Sequence, residues 1–527
     1  MLGPPEANEE GTTVAGVRRA MLLGATLPAL LAACTVGPSD RPAVLARDTE
    51  PEQSAGTPHR TTPLPPLGAP HDDLVRWSDC DQRTKRALGS QQRDTGTLRY
   101  SCTSLPSTLD APQQPGTGTI KVSVLKAEST SPGKKIPLFV VNDIDGEPGT
   151  TFAARLAARL PDRLLDRFAV IGVDRRGTGG SNPISCVPSQ SRRTLLGFDP
   201  AANDLGPLFG AARDAGQECA LILRNQQGAL DAWRTAGDLD EIRRQLGAPF
   251  LHVIARGEGS HVVQAYAQRF TDKLGRVVLD GVPDPSDQEQ TVLEGRAAGA
   301  EATLDAFAEE CRSQGCPLGD DPRGAVLALL DTLRQRGSGM TPGVAANAIL
   351  TGLGEPDQWP ALAKAIDAAG HGDTGPLARF TGSLDGSATT PPTLDATLAT
   401  TCNDTHTRLT PQRITALAAE WRQRYPVFGG LLAQRLVWCG QWPVRREPLA
   451  DPAMPGAPPI LVVSTAADPR TPELGTTRTA QQMPSSVLIG WEGAGHGAVT
   501  RSDCVTDEVT GFLVDGRIPT QGVTCPP

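Results

Sequence analysis

The chain has 527 residues, and its 59 Asp and Glu against 50 Lys and Arg give a formal net charge of −9. An acidic balance without a basic stripe argues against a nucleic-acid surface. The length allows one large domain with an insertion, or two domains.

At the N-terminus, Arg18-Arg19 precede an apolar run at residues 20–33 that closes on Leu31-Ala32-Ala33-Cys34. A basic region, a core too short to span a bilayer and small residues before a cut make a secretory signal over residues 1–34. Leu-Ala-Ala-Cys resembles the lipobox of bacterial lipoproteins, which implies a diacylglycerol on Cys34 and cleavage before it. The acidic stretch ahead of Arg18 is foreign to such a signal and fits a true start at Val14 or Val17. Residues 35–75 are rich in Pro, Thr and Ser, with little to bury, and read as a tether. The expected location is therefore outside the cell membrane, with contact to lipid through the anchor alone.

From residue 76 the chain organises. Residues 98–102 and 119–125 predict an antiparallel β lead-in, and residues 136–141 an apolar central strand followed by a Gly/Pro turn and a helix over 152–165. Residues 168–174, 250–256 and 277–280 predict further buried strands. Residues 288–445 turn helical and Ala-rich, as at 324–336 and 360–369, before strands resume at 459–464 and 486–489. This order predicts an α/β class: a mostly parallel sheet covered on both faces, built from core segments 76–287 and 446–527, with the helical insertion as a lid.

Residues 250–270 read as strand, tight turn and helix. That is the setting of the G-x-S-x-G nucleophile elbow of α/β-hydrolases, where a strained turn lifts a serine oxygen above the sheet. Here the five positions read Ala255-Arg256-Gly257-Glu258-Gly259, so glycine stands where the serine belongs. Downstream, Asp468 follows one strand and His496 the next, the chain order expected for the orienting acid and the general base. Gly257-x-Gly259 with Asp280 also faintly suggests a dinucleotide fingerprint, but Val262 stands where the third glycine is needed, so no cofactor is expected. Asp174 with the Arg175-Arg176-Gly177 turn is expected to fix a loop, and His252 to be a hydrogen-bonded core residue.

Removing Cys34 from the eleven cysteines leaves an even set, which in an exported chain reads as a disulfide framework of open connectivity. Cys311 and Cys316 could instead hold a metal, but no histidine lies near them and no metal is expected.

Cys102 to Pro112, the run from Val173 to Ser181, Thr401-Cys402-Asn403-Asp404, Trp438-Cys439, and the segments holding Asp468 and His496 together resemble the tripeptidyl aminopeptidase and proline iminopeptidase branch of the α/β-hydrolases. The resemblance spans residues 77–525. It implies exported serine exopeptidases that act on free N-termini beneath a helical lid. It also implies disulfides Cys80–Cys102, Cys186–Cys219, Cys311–Cys316, Cys402–Cys439 and Cys504–Cys525, and it suggests Asp404 as a group facing a substrate amine.

Carried over by position, the triad is Gly257, Asp468 and His496. On the oxyanion side the family's Gly-Gly-Pro-Gly reads Gly146-Glu147-Pro148-Gly149, preceded by Asp143 and Asp145, and Glu258 supplies the N–H after the elbow. Gly149 and Glu258 are thus the expected oxyanion residues, surrounded by acids that would oppose a developing negative charge and suit a cationic ligand. Two readings follow. The preferred one is a monomeric, lipid-anchored, non-catalytic relative that binds a peptide or small molecule in its lid-covered cleft. The other is a hydrolase using Ser260 as a displaced nucleophile, or a water activated by His496.

Overall fold

The computed structural model describes residues 63–71, 75–89, 97–337, 339–381, 384, 392–442 and 449–527. The signal segment, Cys34 and most of the tether lie outside these residues.

The described strands are β1 (Ser78–Asp79), β2 (Leu98–Thr108), β3 (Thr119–Ser129), β4 (Ile136–Val141), β5 (Phe168–Val173), β6 (Leu251–Arg256), β7 (Leu274–Asp280), β8 (Ile460–Ala467), β9 (Ser486–Ala494) and β10 (Val523–Cys525). They form one sheet in the order β1-β2-β3-β5-β4-β6-β7-β8-β9-β10. β1, β2, β3 and β5 pair antiparallel, and every pairing from β5 to β10 is parallel. This is an α/β-hydrolase fold, and the short β10 at the edge carried no strand signal in the sequence.

The central strands are buried along their whole length because both faces are covered. Side chains alternate between two apolar clusters. Leu138, Val140, Ile254, Val278 and Leu461 face one, and Phe139, Val141, Val253, Leu279 and Val462 the other. The helix expected over 152–165 is interrupted: Gly149–Ala157 ends before Pro161, and Asp162–Leu165 forms a separate turn. Proline at 161 cannot continue the hydrogen-bond ladder, which explains the break.

Between β7 and β8 the chain forms the expected helices, from Glu289–Ser313 to Gly429–Arg435. They share a third apolar cluster with Ser189–Gly197 and Gly206–Leu223, two helices that lie between β5 and β6. The helical layer therefore draws on the first core segment as well as on residues 288–445. All five disulfides implied by the family resemblance are present.

The last part of the tether packs on the body rather than hanging free. Leu67 is buried, His71 donates its N–H to the Gly247 carbonyl, and the Leu67 carbonyl lies 3.3 Å from His252 Nε2. Because His252 Nδ1 accepts the Arg276 N–H at 3.0 Å, Nε2 carries the proton and donates to Leu67. Burial pushes the His252 imidazole down to about 4, so it is a neutral core residue.

The chain turns from one side of the sheet to the other at the neighbouring strands β4 and β6. A crevice at the carboxyl ends of such strands is where open α/β sheets bind ligands. Asp143, Gly257, Asp468 and His496 all follow carboxyl ends there, after β4, β6, β8 and β9 respectively.

Candidate functional site

Gly257 adopts φ +58°, the left-handed conformation of a nucleophile elbow. Its N–H reaches the Asp280 carbonyl at 3.2 Å and its carbonyl accepts the Ser260 N–H at 3.0 Å, which starts the helix Gly259–Arg269. The turn is therefore the one a nucleophile would need. The space above it is not. A Cβ built on Gly257 would stand 2.8 Å from Cγ of Asp143 and closer still to a carboxylate oxygen.

Asp143 occupies the position a serine hydroxyl would take. Its Oδ2 lies 2.8 Å from His496 Nε2, and its Oδ1 accepts the Glu258 N–H at 2.9 Å. On the other side of the ring, His496 Nδ1 lies 3.0 and 3.1 Å from the two oxygens of Asp468. Asp468 is oriented in turn by the N–H groups of Arg470 and Thr471, at 2.7 and 2.9 Å, and by the Thr471 hydroxyl at 2.9 Å. The imidazole is thus clamped between two carboxylates.

The electrostatics follow from that clamp. Burial pushes the His496 imidazolium toward losing its proton, but Asp468 and Asp143 outweigh it and raise the group to about 9. Burial also raises Asp143 and Asp468, yet the His496 charge and its hydrogen bonds hold both below the ordinary carboxylate range. At neutral pH the ring carries both protons and donates to both neighbours. A histidine in that state cannot take a proton from a nucleophile.

The oxyanion side is filled as well. The Glu258 N–H is bound to Asp143, and the Ile144 N–H donates to Glu258 Oε2 at 3.1 Å. Gly149 lies elsewhere: it opens the helix Gly149–Ala157 and abuts the Val173 backbone of β5, so the donor of this loop beside the elbow belongs to Ile144. Both N–H groups at the elbow are satisfied by carboxylates of the chain itself.

The Ser260 hydroxyl is engaged away from His496. The residue is fully buried and its Oγ donates to the Gly281 carbonyl at 3.2 Å, in the turn that follows β7. Ser260 is the second residue of the helix Gly259–Arg269, and its hydroxyl ties that helix to the turn after β7.

The acidic surroundings expected from the sequence are largely neutralised. Glu258 pairs with the buried Arg175, whose Nη2 lies 3.3 Å from Oε1. Asp145 is bound by Arg470, with Arg296 and Arg435 each 4.0 Å from its Oδ2. Asp404 accepts the Ala232 N–H at 3.0 Å and also lines the cleft. Asp174 accepts the N–H groups of Thr150 and Gly180, each at 2.8 Å, and fixes the loop after β5 as anticipated.

Two cavities meet at the Asp143 carboxylate. One, of about 120 Å³, lies beneath the lid against Glu289, Leu293, Arg296, Arg435 and Trp438. The other, of about 550 Å³, opens past His496 toward Thr351, Glu355 and Phe380. Sequence reasoning missed Arg296, within the long helix Glu289–Ser313, and Arg435, at the end of the short helix Gly429–Arg435, neither of which belongs to a local motif. Arg470, two residues beyond Asp468, belongs to a segment that carries the family resemblance, but nothing local there indicates Asp145 as its partner.

Residues 425–525 match the family described as TAP-like protein. The chain is 26% identical over 494 residues to "Serine protease Hip1" of Mycobacterium tuberculosis, spanning 88% of this chain and 92% of that protein. It is 28% identical over 501 residues to "Carboxylesterase B" of the same organism, again spanning 88% and 92%. "Tripeptidyl aminopeptidase" of Streptomyces lividans is 26% identical over 412 residues, 70% of this chain and 74% of that protein.

Proposed function

We propose that this chain, which belongs to the TAP-like α/β-hydrolases, has lost serine-peptidase chemistry and uses its lid-covered cleft to bind a ligand. One observation carries the proposal: the Asp143 carboxylate stands above Gly257, bound at once to His496 and to the oxyanion-side N–H of Glu258. Nucleophile, base and oxyanion donor are the three parts of covalent acyl transfer. A single side chain occupies the place of the first and engages the other two.

Hydrolysis through a His496-activated water gains no support from this arrangement, since an imidazole raised to about 9 keeps its proton at neutral pH. Ser260 gains none either, because its hydroxyl is directed at Gly281.

We extend the proposal to the cell envelope. Five disulfides fit an oxidising compartment, and the lipobox-like Leu31-Ala32-Ala33-Cys34 would anchor the protein through lipid on Cys34. Among the described residues no helix is long and apolar enough to cross a membrane.

The deciding experiment offers purified protein an N-terminally free peptide anilide, a short-chain nitrophenyl ester and a fluorophosphonate probe, with a serine-bearing relative as positive control. The expected result is no turnover and no label, together with a rise in melting temperature on addition of a cleft ligand. Turnover that disappears on His496→Gln would overturn the non-catalytic reading.

A further inference from the structure

Arg296 and Arg435 face the smaller, lid-side cavity without adequate partners. Among the described residues the carboxylate within ion-pair distance of both is Asp145, at 4.0 Å, and it is already bound by Arg470. The Nε atoms of Arg296 and Arg435 are buried with no hydrogen-bond partner. Arg435 donates once, to Asn347 Oδ1 at 3.2 Å, whereas Arg296 makes no hydrogen bond among the described residues. Three guanidinium groups thus converge on Asp145 beside a cavity whose other acids include Asp143, Glu258 and Asp404, engaged by His496, Arg175 and the Ala232 N–H respectively, and Glu289. Burial raises the Glu289 carboxyl, against the opposing pull of Arg296, Arg408 and Arg435.

Burying an unpaired guanidinium is expensive, and arginine's planar fork is suited to bidentate contact with carboxylate or phosphate. Burial and the repulsion from Arg296 hold the Arg435 guanidinium down to about 9, a crowding that an anion would relieve. Leu293 and Leu436 give the lining an apolar part, and the Trp438 ring lies 5.3 Å from the Arg435 guanidinium carbon. The volume of about 120 Å³ is of the order that holds one benzene-sized body.

The geometry points to a carboxylate-binding subsite in this cavity, with Arg296 and Arg435 as the receptors of the anion and Leu293 and Trp438 against its apolar body. This rests on the reading of the cleft as a ligand site, and it reverses the sequence expectation of a cationic ligand. A guanidinium pair left short of hydrogen bonds in the free protein is pre-arranged for a group that accepts two.

Calorimetry with benzoate, benzamide and phenyl phosphate tests it. Benzoate should bind one to one, and benzamide, which has the same shape without the charge, roughly tenfold more weakly or worse. Arg296→Lys and Arg435→Lys keep the charge but not the fork, and each should weaken benzoate by roughly tenfold. Arg296→Gln/Arg435→Gln should abolish benzoate binding while keeping the melting temperature within roughly 3 °C of the wild type. Equal binding of benzoate and benzamide, or undiminished benzoate binding by the double variant, overturns the subsite. Tighter binding of phenyl phosphate than of benzoate overturns the carboxylate assignment in favour of a phosphoryl group. Peptide turnover by the wild type would remove the non-catalytic reading and leave benzoate binding standing. A protein that hydrolyses nothing and ignores benzoate would remove the subsite alone.

Discussion

Asp143 and Gly257 are a matched pair: the carboxylate fits only because position 257 lacks a side chain, with the built Cβ falling 2.8 Å from Cγ of Asp143. Restoring a serine at 257 alone therefore cannot restore a triad. The new side chain and Asp143 compete for one space, and overpacking a fixed site typically costs about 1–3 kcal/mol. Gly257→Ser should melt lower than the wild type and remain unlabelled by fluorophosphonate. Gly257→Ser combined with Asp143→Gly removes the competitor, frees the Glu258 N–H and releases His496. That double variant should take the label and cleave an N-terminally free peptide anilide. If the single variant proves as active as the double one, the exclusion argument fails.

The clamp on His496 has a definite pH signature. Its folded value of about 9 lies above the unfolded value of about 6.5, so the stabilisation is fully present below about 6.5 and is lost as pH rises through about 9. The magnitude is of order 3 kcal/mol at one pKa unit per about 1.4 kcal/mol. Asp143 and Asp468 are displaced downward, so their contributions hold above about 4 and are lost as pH falls below it. Melting temperature against pH should show a plateau between about 4.5 and 6.5 and a declining limb up to about 9. Asp143→Asn removes one of the two raising charges and should move that limb to lower pH. A profile flat from 6.5 to 9 in the wild type would show that the ring is neutral and the clamp absent.

Much of this architecture was legible because it depends on local pattern. The apolar runs of β4 and β5, and the strand–turn–helix pattern at β6, read as parallel strands, and the spacing from the elbow to Asp468 and His496 fixed the order of the site. The short edge strand β10 was invisible, since three residues of no distinctive composition pair only because β9 is already in place. The identity of the group facing His496 was hidden for a similar reason. Asp143 and His496 are 353 residues apart, and nothing in the sequence states which acid of the loop after β4 turns inward. Asp143 and Asp145 read alike as residues that would spoil an oxyanion hole. In the fold they diverge: one takes the serine's place and the other collects arginines. The lid arginines were unreadable because a cation on a helix faces solvent far more often than a cavity.

Ser260 supplies a separate test of where a hydroxyl can act. Its Oγ donates to the Gly281 carbonyl at 3.2 Å from a fully buried position, a structural bond between the elbow helix and the turn after β7. Ser260→Ala should lower stability by about 1 kcal/mol through the orphaned carbonyl. It should leave the fluorophosphonate response and the binding of any cleft ligand unchanged. Mass-spectrometric detection of an adduct on Ser260, lost on His496→Gln, would show instead that the elbow rearranges to expose it.

Arg175 and Glu258 should prove the most sensitive pair around the elbow. Arg175 is buried, Glu258 meets it through both oxygens, and Glu258 Oε2 also accepts the Ile144 N–H at 3.1 Å. Removing only the acid strands a buried guanidinium and a backbone donor together, which for a buried pair typically costs about 3–5 kcal/mol. Replacing both partners with apolar side chains of similar volume removes the stranded charge along with its mate. Chemical denaturation of Glu258→Leu, Arg175→Met and the double variant should therefore show each single change costly and the double change cheaper than either. The discriminating quantity is the coupling energy of the cycle, expected to be about 2 kcal/mol or more. A coupling near zero would mean that the guanidinium finds water or another acid when Glu258 is gone. The Ile144 and Glu258 N–H groups would then be held by the loop itself rather than by this ion pair.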